Sequence, residues 1–443
     1  MTVKLSLPKS SAMLSADFIY GVATASFQIE GGKNSRLPCI WDTFCDIPNK
    51  VIDGSNGLIA CDHINLWQQD IELIESLGVD AYRLSISWPR VMTKSGKLNP
   101  DGVNFYVNIL DALKSKNIKA FVTLYHWDLP QHLEDEGGWL NRETAYKFRD
   151  YVDLISNVFG DRAYAYATLN EPFCSSFLGY EVGIHAPGKV GKEYGRKAAH
   201  HLLLAHGLAM QVLNKNSPKS LNGIVLNFTP CYPESDNVAD KIASDFADDY
   251  FNQWYIKPIY DGEYPAILAQ LPNENRPDIQ YGDMKIISHP TDFLGVNFYT
   301  RAIYRADESE HFFQIDPPEP RTDIGWEIYP KALSELLISL NEKYTLPPIY
   351  ITENGAATDD KLIAGIVKDN DRIAYYQKHL NAVNDAIEQG VDVKGYFAWS
   401  LMDNFEWAEG YLKRFGIVYV DYKTQVRTIK NSGHAYKALI SNR

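Results

Sequence analysis

Short apolar runs alternate along this chain with longer segments in which apolar residues recur at helical spacing. Eight of the short runs are rich in β-branched or aromatic residues, and each is bounded by a turn or loop signal, which is typical of buried β-strands. The eight predicted strands are Phe18–Ala23, Tyr82–Trp88, Ala120–Trp127, Tyr164–Asn170, Gly223–Phe228, Phe293–Tyr299, Pro348–Thr352 and Gly395–Leu401.

The segments between these runs predict amphipathic helices. In Leu66–Leu77, the apolar positions 66, 67, 71, 73, 74 and 77 fit a helical period better than a strict alternation. The sequence Asn-Pro-Asp, a good helix start, leads into Gly102–Ser115. Further helices are predicted at Thr144–Phe159, Ala198–Leu213 and Ala374–Gln389.

Repeated strand–helix units predict an α/β fold, a single (β/α)8 TIM barrel with elaborated βα loops. The chain has 443 residues and no long Pro/Gly/Ser linker, so we expect one catalytic domain over residues 1–443. Right-handed crossovers would bring the carboxyl ends of all strands to one face, where barrel enzymes carry their active sites. We therefore expect the chemistry at those ends.

Two glutamates follow predicted strands in this way. Glu171 comes after the fourth run, and Glu353 comes after the seventh. Because Pro172 follows Glu171, we expect extended backbone geometry there. A charged residue at the end of a buried strand is costly unless it is paired or used. Each glutamate alone also fits a structural role, as a buried ion pair or a cap, but the two together indicate a paired-carboxylate site.

A pair of carboxyl groups across a pocket suits cleavage of a glycosidic bond. One group protonates the leaving oxygen, and the other attacks the anomeric carbon or activates water. A separation of about 5–5.5 Å gives retention and one of about 6.5–9.5 Å gives inversion, and the sequence leaves both open. Arg83, which is expected mid-barrel on the second run, is a candidate cation for keeping one carboxylate ionised, although it also fits a structural ion pair.

Other residues near the strand ends suit a sugar subsite. Side chains that can hydrogen-bond hydroxyl groups are Gln28, His126, Asn170 and Glu406, and flat apolar faces are offered by Trp399 and Trp407. The competing interpretation is a metal site formed by His126, Asp128, His132 and His185. The sequence has no HExxH motif and no close Cys/His spacing, so no metal is expected.

Composition narrows the expected partners. The net charge of −13, without a Lys/Arg cluster, argues against nucleic acid, anionic membranes and polyphosphate substrates. Five scattered cysteines without a CxxC motif indicate a reduced chain, and no signal-peptide pattern or long apolar run is present. We expect a cytoplasmic enzyme that acts on a neutral small molecule, and no oligomeric state is indicated.

Taken together, the motifs resemble those of glycoside hydrolase family 1. They occur in the family's order from about Phe18 to Tyr436, nearly the whole chain. The matching segments are Gln28–Gly31, Tyr82–Arg90, Tyr125–Pro130, Asn170–Pro172, Thr352–Gly355 and Asn404–Trp407. The resemblance implies a (β/α)8 barrel and a retaining double-displacement mechanism that needs no cofactor.

The resemblance also implies roles for individual residues. Glu171 would be the acid/base and Glu353 the nucleophile, with Tyr299 and Arg83 as partners of the nucleophile. The implied sugar-binding positions are Gln28, His126, Asn170, Trp399, Glu406, Trp407 and Phe415, with Trp326 as a platform on the leaving-group side. Trp127 and Asn297, at the ends of the third and sixth runs, complete the candidate set. The family usually has a cis peptide bond at Trp399-Ser400.

Glu406 bears on the substrate. Family members that take 6-phosphorylated sugars usually lack this Glu, and a carboxylate would repel a sugar phosphate. The implied activity is that of an exo-β-glucosidase acting on β-glucosides and short cello-oligosaccharides, with β-galactosides and β-fucosides as further substrates. The alternatives are a 6-phospho-β-glycosidase and a catalytically inactive sugar-binding barrel. Phe173, where the family often has Trp, leaves the leaving-group preference open.

Overall fold

The centre of the molecule is a closed barrel of parallel strands. The computed structural model describes residues 4–308 and 311–443. The barrel strands are β1 (Ile19–Ala23), β2 (Ala81–Ser85), β3 (Lys119–Thr123), β4 (Ala165–Asn170), β5 (Leu221–Phe228), β6 (Phe293–Phe298), β7 (Ile349–Asn354) and β8 (Val393–Trp399). Strands that are neighbours in this order pair with each other, and β8 pairs with β1. The predicted (β/α)8 barrel is confirmed.

Helices of very different lengths occupy the connections. The longer α-helices are His63–Leu77, Pro100–Ser115, Glu143–Phe159, Lys192–Asn216, Val238–Asp248, Trp254–Tyr260, Lys331–Lys343, Asn370–Glu388 and Asn431–Ser441. Short α-helices are Ser26–Ile29, Ile40–Cys45, Trp88–Val91, Gln131–Asp135 and Asp283–Ile287, and π-helical segments are Cys174–Glu181 and Asp249–Gln253. Single 3₁₀ turns are Ala12–Leu14, Lys33–Ser35, Gly138–Leu140, Gly160–Arg162, Ala266–Gln270, Asn273–Asn275 and Trp407–Glu409.

Every predicted strand and helix overlaps an observed one, but two predicted strands run more than two residues beyond the observed ends. The second strand ends at Ser85, and a short helix begins at Trp88. The third strand ends at Thr123, before Trp127. Trp88 and Trp127 are 3% and 8% exposed, so their apolar character reflects packing outside the strands and does not indicate a longer strand.

A small sheet beside the barrel was not predicted from the sequence. Its strands are Cys231–Pro233, Ala302–Asp307 and His311–Gln314, of which the first two pair in parallel and the last two are antiparallel. These strands lie in the connections that follow β5 and β6. The sheet therefore extends the wall on the face where the barrel strands end.

Aromatic side chains close the barrel below that face. The ring of Phe121 on β3 contacts the rings of Phe293, Tyr350 and Phe397, with centroid distances of 4.8 to 6.4 Å. All four side chains are buried. The barrel interior is therefore a packed core, as is usual for this fold.

None of the helices in the two described ranges is both long and apolar enough to cross a lipid bilayer.

A buried ionic network ties the last helix to the segment that follows β8. The Lys430 ammonium is fully buried and lies 2.5 Å from Asp360 and 2.6 Å from Asp403. Asp403 also accepts a hydrogen bond from the backbone N–H of Gly416 at 3.0 Å. The segment from β8 to Gly416 is thus anchored by a side chain that lies further along the chain.

We predict that Lys430→Met destabilises the fold by about 3 kcal/mol, because it removes the buried cation that Asp360 and Asp403 share and leaves each carboxylate with one arginine, Arg372 and Arg414 respectively. The free energy of unfolding from urea denaturation measures this. Lys361→Met is the matched control, since Lys361 pairs with Asp359 at an exposed site and should unfold like the wild type. Equal midpoints for the two variants would contradict the prediction.

Candidate active site

A cavity of about 550 Å³ opens at the carboxyl ends of the barrel strands. The predicted site residues that line it are His126, Trp127, Glu171, Tyr299, Trp326, Glu353, Trp399, Glu406, Trp407 and Phe415. The remaining predicted residues, Gln28, Arg83, Asn170 and Asn297, are buried and hydrogen-bond to members of that lining or to one another. The structure therefore brings the whole predicted set together.

Glu353 lies on β7, and each of its carboxylate oxygens accepts a short hydrogen bond. Arg83 donates from Nη1 to Oε1 at 2.5 Å, and the hydroxyl of Tyr299 donates to Oε2 at 2.6 Å. The next residues turn away from the site, and Gly355 leaves no room for a side chain, because a Cβ there would lie 1.7 Å from the carbonyl oxygen of Trp399. The ion pair expected for Arg83 is thus made with Glu353.

Glu171 follows β4 directly and is 5% exposed. Its backbone φ is +46°, in the left-handed region, so the extended geometry predicted from Pro172 is wrong. A non-glycine residue rarely adopts this conformation, which is common at functional sites. The amide Nδ2 of Asn297 donates to Oε1 at 2.5 Å, and the thiol of Cys174 donates to Oε2 at 3.0 Å.

The two carboxyl groups differ in how readily they ionise. Burial, and then the charge of Glu353, raises the pKa of Glu171 to about 7. Burial also raises the pKa of Glu353, but Arg83, Tyr299 and the amide of Asn297 all stabilise its ionised form. A guanidinium in direct contact favours the carboxylate far more than an amide and a thiol do. Glu353 therefore ionises first, and Glu171 keeps its proton close to neutral pH.

A chain of amides fixes the histidine of the site. Asn170 accepts from Arg83 at 2.6 Å and from Asn297 at 3.0 Å through Oδ1, so its amide nitrogen faces His126 Nε2 at 3.1 Å. His126 Nε2 must then accept, which places the proton of the neutral ring on Nδ1. Burial and Arg83 lower the pKa of His126 well below its usual range. Nδ1 is buried without a protein partner and can donate to a ligand.

The floor of the cavity combines polar groups with aromatic faces. Gln28 donates to Asn404 and to the Phe405 carbonyl, which leaves its own Oε1 buried without a partner. Burial, and then the charge of Glu353, raises the pKa of Glu406 to about 8. The peptide bond between Trp399 and Ser400 is cis. Such a floor offers both hydroxyl partners and apolar faces to a small polyol.

The outer half of the cavity is different in character. Phe173, Phe177 and Phe251, here called the phenylalanine cluster, pack against one another with ring centroids 5.1 to 5.9 Å apart. Ile303 and Ile315 from the small sheet region line the cavity with them. Trp326 stands at the boundary of the two halves, 5.3 Å from the ring of Tyr299 and 6.0 Å from that of Phe415.

Two parts of the site were missed at the level of sequence. Cys174 has a recognisable signal, since it follows Glu171 by three residues and a turn would bring its thiol back to the carboxyl group. The phenylalanine cluster has only a partial signal, because Phe173 and Phe177 are four residues apart after β4, whereas Phe251 comes from the connection after β5. The resemblance singled out Phe173 as a residue that bears on the leaving-group preference, and it lines the cavity.

Two buried carboxyl groups of unequal proton affinity, in the mouth of a (β/α)8 barrel with a polyol-sized polar floor, define a glycoside hydrolase. The sequence comparison gives the family. The chain matches the model of glycosyl hydrolase family 1 over residues 10–443 and belongs to that family.

Similar proteins cover almost the whole chain. A beta-glucosidase of Agrobacterium sp. (strain ATCC 21400) is 45% identical over 440 residues, which are 97% of this chain and 96% of that protein. A bifunctional beta-D-glucosidase/beta-D-fucosidase of Bifidobacterium breve is 41% identical, over 96% of this chain and 97% of that protein. The structure of the Thermotoga maritima beta-glucosidase in complex with glucoimidazole superposes with a TM-score of 0.94 at 43% identity, covering 97% of this chain and 98% of that one.

We predict that Glu353→Gln lowers the pKa of Glu171 from about 7 towards its usual range, because the negative charge of Glu353 contributes to the raised value. A carbon-13 NMR titration of labelled glutamate carboxyl groups, assigned with Glu171→Gln, measures the change. Glu388→Gln, on an exposed helix position, is the control and should leave the titration of Glu171 unaltered. An unchanged midpoint in Glu353→Gln would show that the two groups are not coupled.

Proposed function

We propose that this chain is an exo-acting, retaining β-glucosidase in which Glu353 is the nucleophile and Glu171 is the acid/base. The observation that carries the proposal is the unequal pair of carboxyl groups, of which only Glu353 contacts a cation. Both carboxyl groups interact with the one amide of Asn297, which is in keeping with the short separation that retention requires.

In the first step, the ionised Glu353 attacks the anomeric carbon while Glu171 gives its proton to the leaving oxygen. The glycosidic C–O bond breaks, an alcohol leaves, and a glycosyl ester forms on Glu353. The transition state carries positive charge on the sugar ring, which the neighbouring carboxylate stabilises. The hydroxyl of Tyr299 and the guanidinium of Arg83 hold the two oxygens of Glu353 in place for this attack.

In the second step, esterification has removed the charge of Glu353, so the reason for Glu171 to stay protonated is weakened. The ionised Glu171 then takes a proton from water as the water attacks the anomeric carbon from the face that the alcohol left. The ester bond breaks, and glucose leaves with its original configuration. Glu171 regains its proton and Glu353 its charge, so the cycle closes without a cofactor.

We assign the floor of the cavity to the terminal sugar. His126 Nδ1 and Gln28 Oε1 are a donor and an acceptor without protein partners, so sugar hydroxyl groups can satisfy them. Glu406 can bind hydroxyl groups in more than one orientation, which supports activity on β-galactosides and β-fucosides as well. Trp127, Trp399, Trp407 and Phe415 would pack against the apolar faces of the ring.

The floor does not suit a sugar phosphate. Among the cavity-lining residues in the described ranges, the one arginine or lysine is Arg301, and it already pairs with Glu327 at 2.9 Å. A 6-phosphoryl group would therefore meet Glu406 without a free cation to balance it. This favours unphosphorylated β-glucosides over the 6-phospho-β-glycosidase alternative.

The outer half of the cavity would hold the leaving group. Its phenylalanine cluster and isoleucines favour apolar leaving groups such as alkyl and arylalkyl alcohols. Asn227 supplies one buried amide oxygen without a partner, which can bind a hydroxyl group of a second sugar. We therefore include short cello-oligosaccharides among the substrates and expect apolar glucosides to be preferred over them.

The two catalytic roles predict that variants lacking Glu353 or Glu171 form glucosyl azides of opposite anomeric configuration when azide is added. We expect Glu353→Gly to lower kcat/KM for an aryl β-glucoside by about 10⁴-fold or more, and azide to attack from the vacated side to give the α-glucosyl azide. In Glu171→Ala, azide should intercept the glycosyl ester from the opposite side and give the β-glucosyl azide. Product anomers assigned by proton NMR decide the question, and identical anomers or a wild-type rate in Glu353→Gly would refute the assignment.

The apolar outer half predicts a chain-length effect for alkyl β-glucosides. From methyl to hexyl glucoside, we expect kcat/KM to rise about two- to fourfold for each added methylene group, and hexyl glucoside to exceed cellobiose. Ile315→Ser should flatten this series, whereas Ile363→Ser, at a site that is 70% exposed, should not. If kcat/KM of the wild type did not rise with chain length, the proposed preference for apolar leaving groups would be wrong, and the proposed glucosidase activity would be unaffected.

A further inference from the structure

The acid/base carboxyl group has a thiol partner that none of the roles above uses. Cys174 is 6% exposed, and its Sγ donates to Glu171 Oε2 at 3.0 Å. The other carboxyl oxygen, Oε1, accepts from Asn297. Each oxygen of Glu171 therefore has one hydrogen-bond donor, and the thiol is the weaker of the two.

The backbone holds this thiol in position. Glu171 is in the left-handed region, and the N–H of Cys174 donates to the carbonyl oxygen of Glu171 at 2.9 Å. The π-helical segment Cys174–Glu181 begins at the same residue. Because the turn is closed by backbone atoms, a small side chain at position 174 can be exchanged without removing the turn itself.

The chemistry of sulfur matches a carboxyl group that must change its protonation state twice in each cycle. A thiol is a weak donor and a weak acceptor. It can donate to the carboxylate in the base step, and it holds that carboxylate less firmly than a hydroxyl or an amide would. Burial raises the pKa of the Cys174 thiol well above its usual range, so the thiol keeps its proton during the cycle.

We propose that Cys174 is a positioning residue that acts through Glu171: its thiol supports the ionised carboxylate only weakly and so lets Glu171 remain a proton donor near neutral pH. The inference rests on the proposed function, in which Glu171 is the acid/base. The charged and titratable groups that interact with Glu171 from other parts of the chain are Glu353, Arg83, Tyr299 and Glu406, and His126 lines the same cavity. All of them stay unchanged in the variants below.

The test is the basic limb of the pH profile of kcat/KM for hexyl β-glucoside, whose poor leaving group needs the proton of Glu171. Removing the donor in Cys174→Ala should raise the pKa of Glu171 and move this limb to higher pH by about 0.5 to 1 unit. The stronger donor in Cys174→Ser should move it to lower pH. The basic limb should therefore lie at the lowest pH in Cys174→Ser, at an intermediate pH in the wild type and at the highest pH in Cys174→Ala. Cys45→Ala, which removes a half-buried thiol outside the cavity lining, is the control.

A substrate with a good leaving group distinguishes a change in the pKa of Glu171 from a general loss of activity. For 2,4-dinitrophenyl β-glucoside, which leaves without protonation, all three variants should keep kcat/KM within about twofold of the wild type and show no shift. A limb that stays at the wild-type pH in both Cys174 variants, or moves the same way in both, would overturn the proposal. If Glu171→Gln itself kept the wild-type rate on hexyl glucoside, the acid/base assignment would fail instead.

Discussion

The site depends on a shortage of positive charge. Three carboxyl groups, those of Glu171, Glu353 and Glu406, interact with one another around the buried cavity floor, and the guanidinium of Arg83 is in direct contact with one of them, Glu353. A buried carboxylate without a cation is costly, so one of the three can ionise easily and the others hold their protons more tightly. The fold decides which one ionises, because β2 carries Arg83 towards β7 and not towards the residue after β4.

This charge arrangement links the steps of the proposed reaction. While Glu353 is charged, its charge keeps Glu171 protonated, so Glu171 can act as an acid. Once Glu353 is esterified, Glu171 can lose its proton and act as a base. The control is therefore electrostatic and requires no movement of the backbone. It also explains why the amide network of Asn170 and Asn297 is buried and fully connected, since a loose network would let either carboxyl group find another partner.

Much of this could be predicted from the sequence, for physical reasons that are specific to the elements. The barrel strands are apolar on both faces and end in polar motifs, so their existence and order followed from the pattern. The second and third predicted strands extend too far because Trp88 and Trp127 are buried by packing in the loops that follow these strands. Proline after Glu171 pointed to extended geometry, but tertiary contacts hold that residue at φ +46°. The leaving-group wall could be predicted only in part, because Phe173 and Phe177 lie close after Glu171, whereas Phe251 and the isoleucines come from connections after other strands.

The ionic anchor at Lys430 has a consequence for how the enzyme is made. Every residue that lines the cavity precedes Lys430 in the chain, and the last of them, Phe415, lies beside the Gly416 amide that Asp403 holds. During synthesis, the nascent chain therefore carries all of its pocket residues before it carries Lys430, the buried cation that joins Asp403 to Asp360. An enzyme interrupted shortly before this lysine would contain every pocket residue and still lack one of the two cations, Arg414 and Lys430, that pair with Asp403 on the loop that bears Glu406.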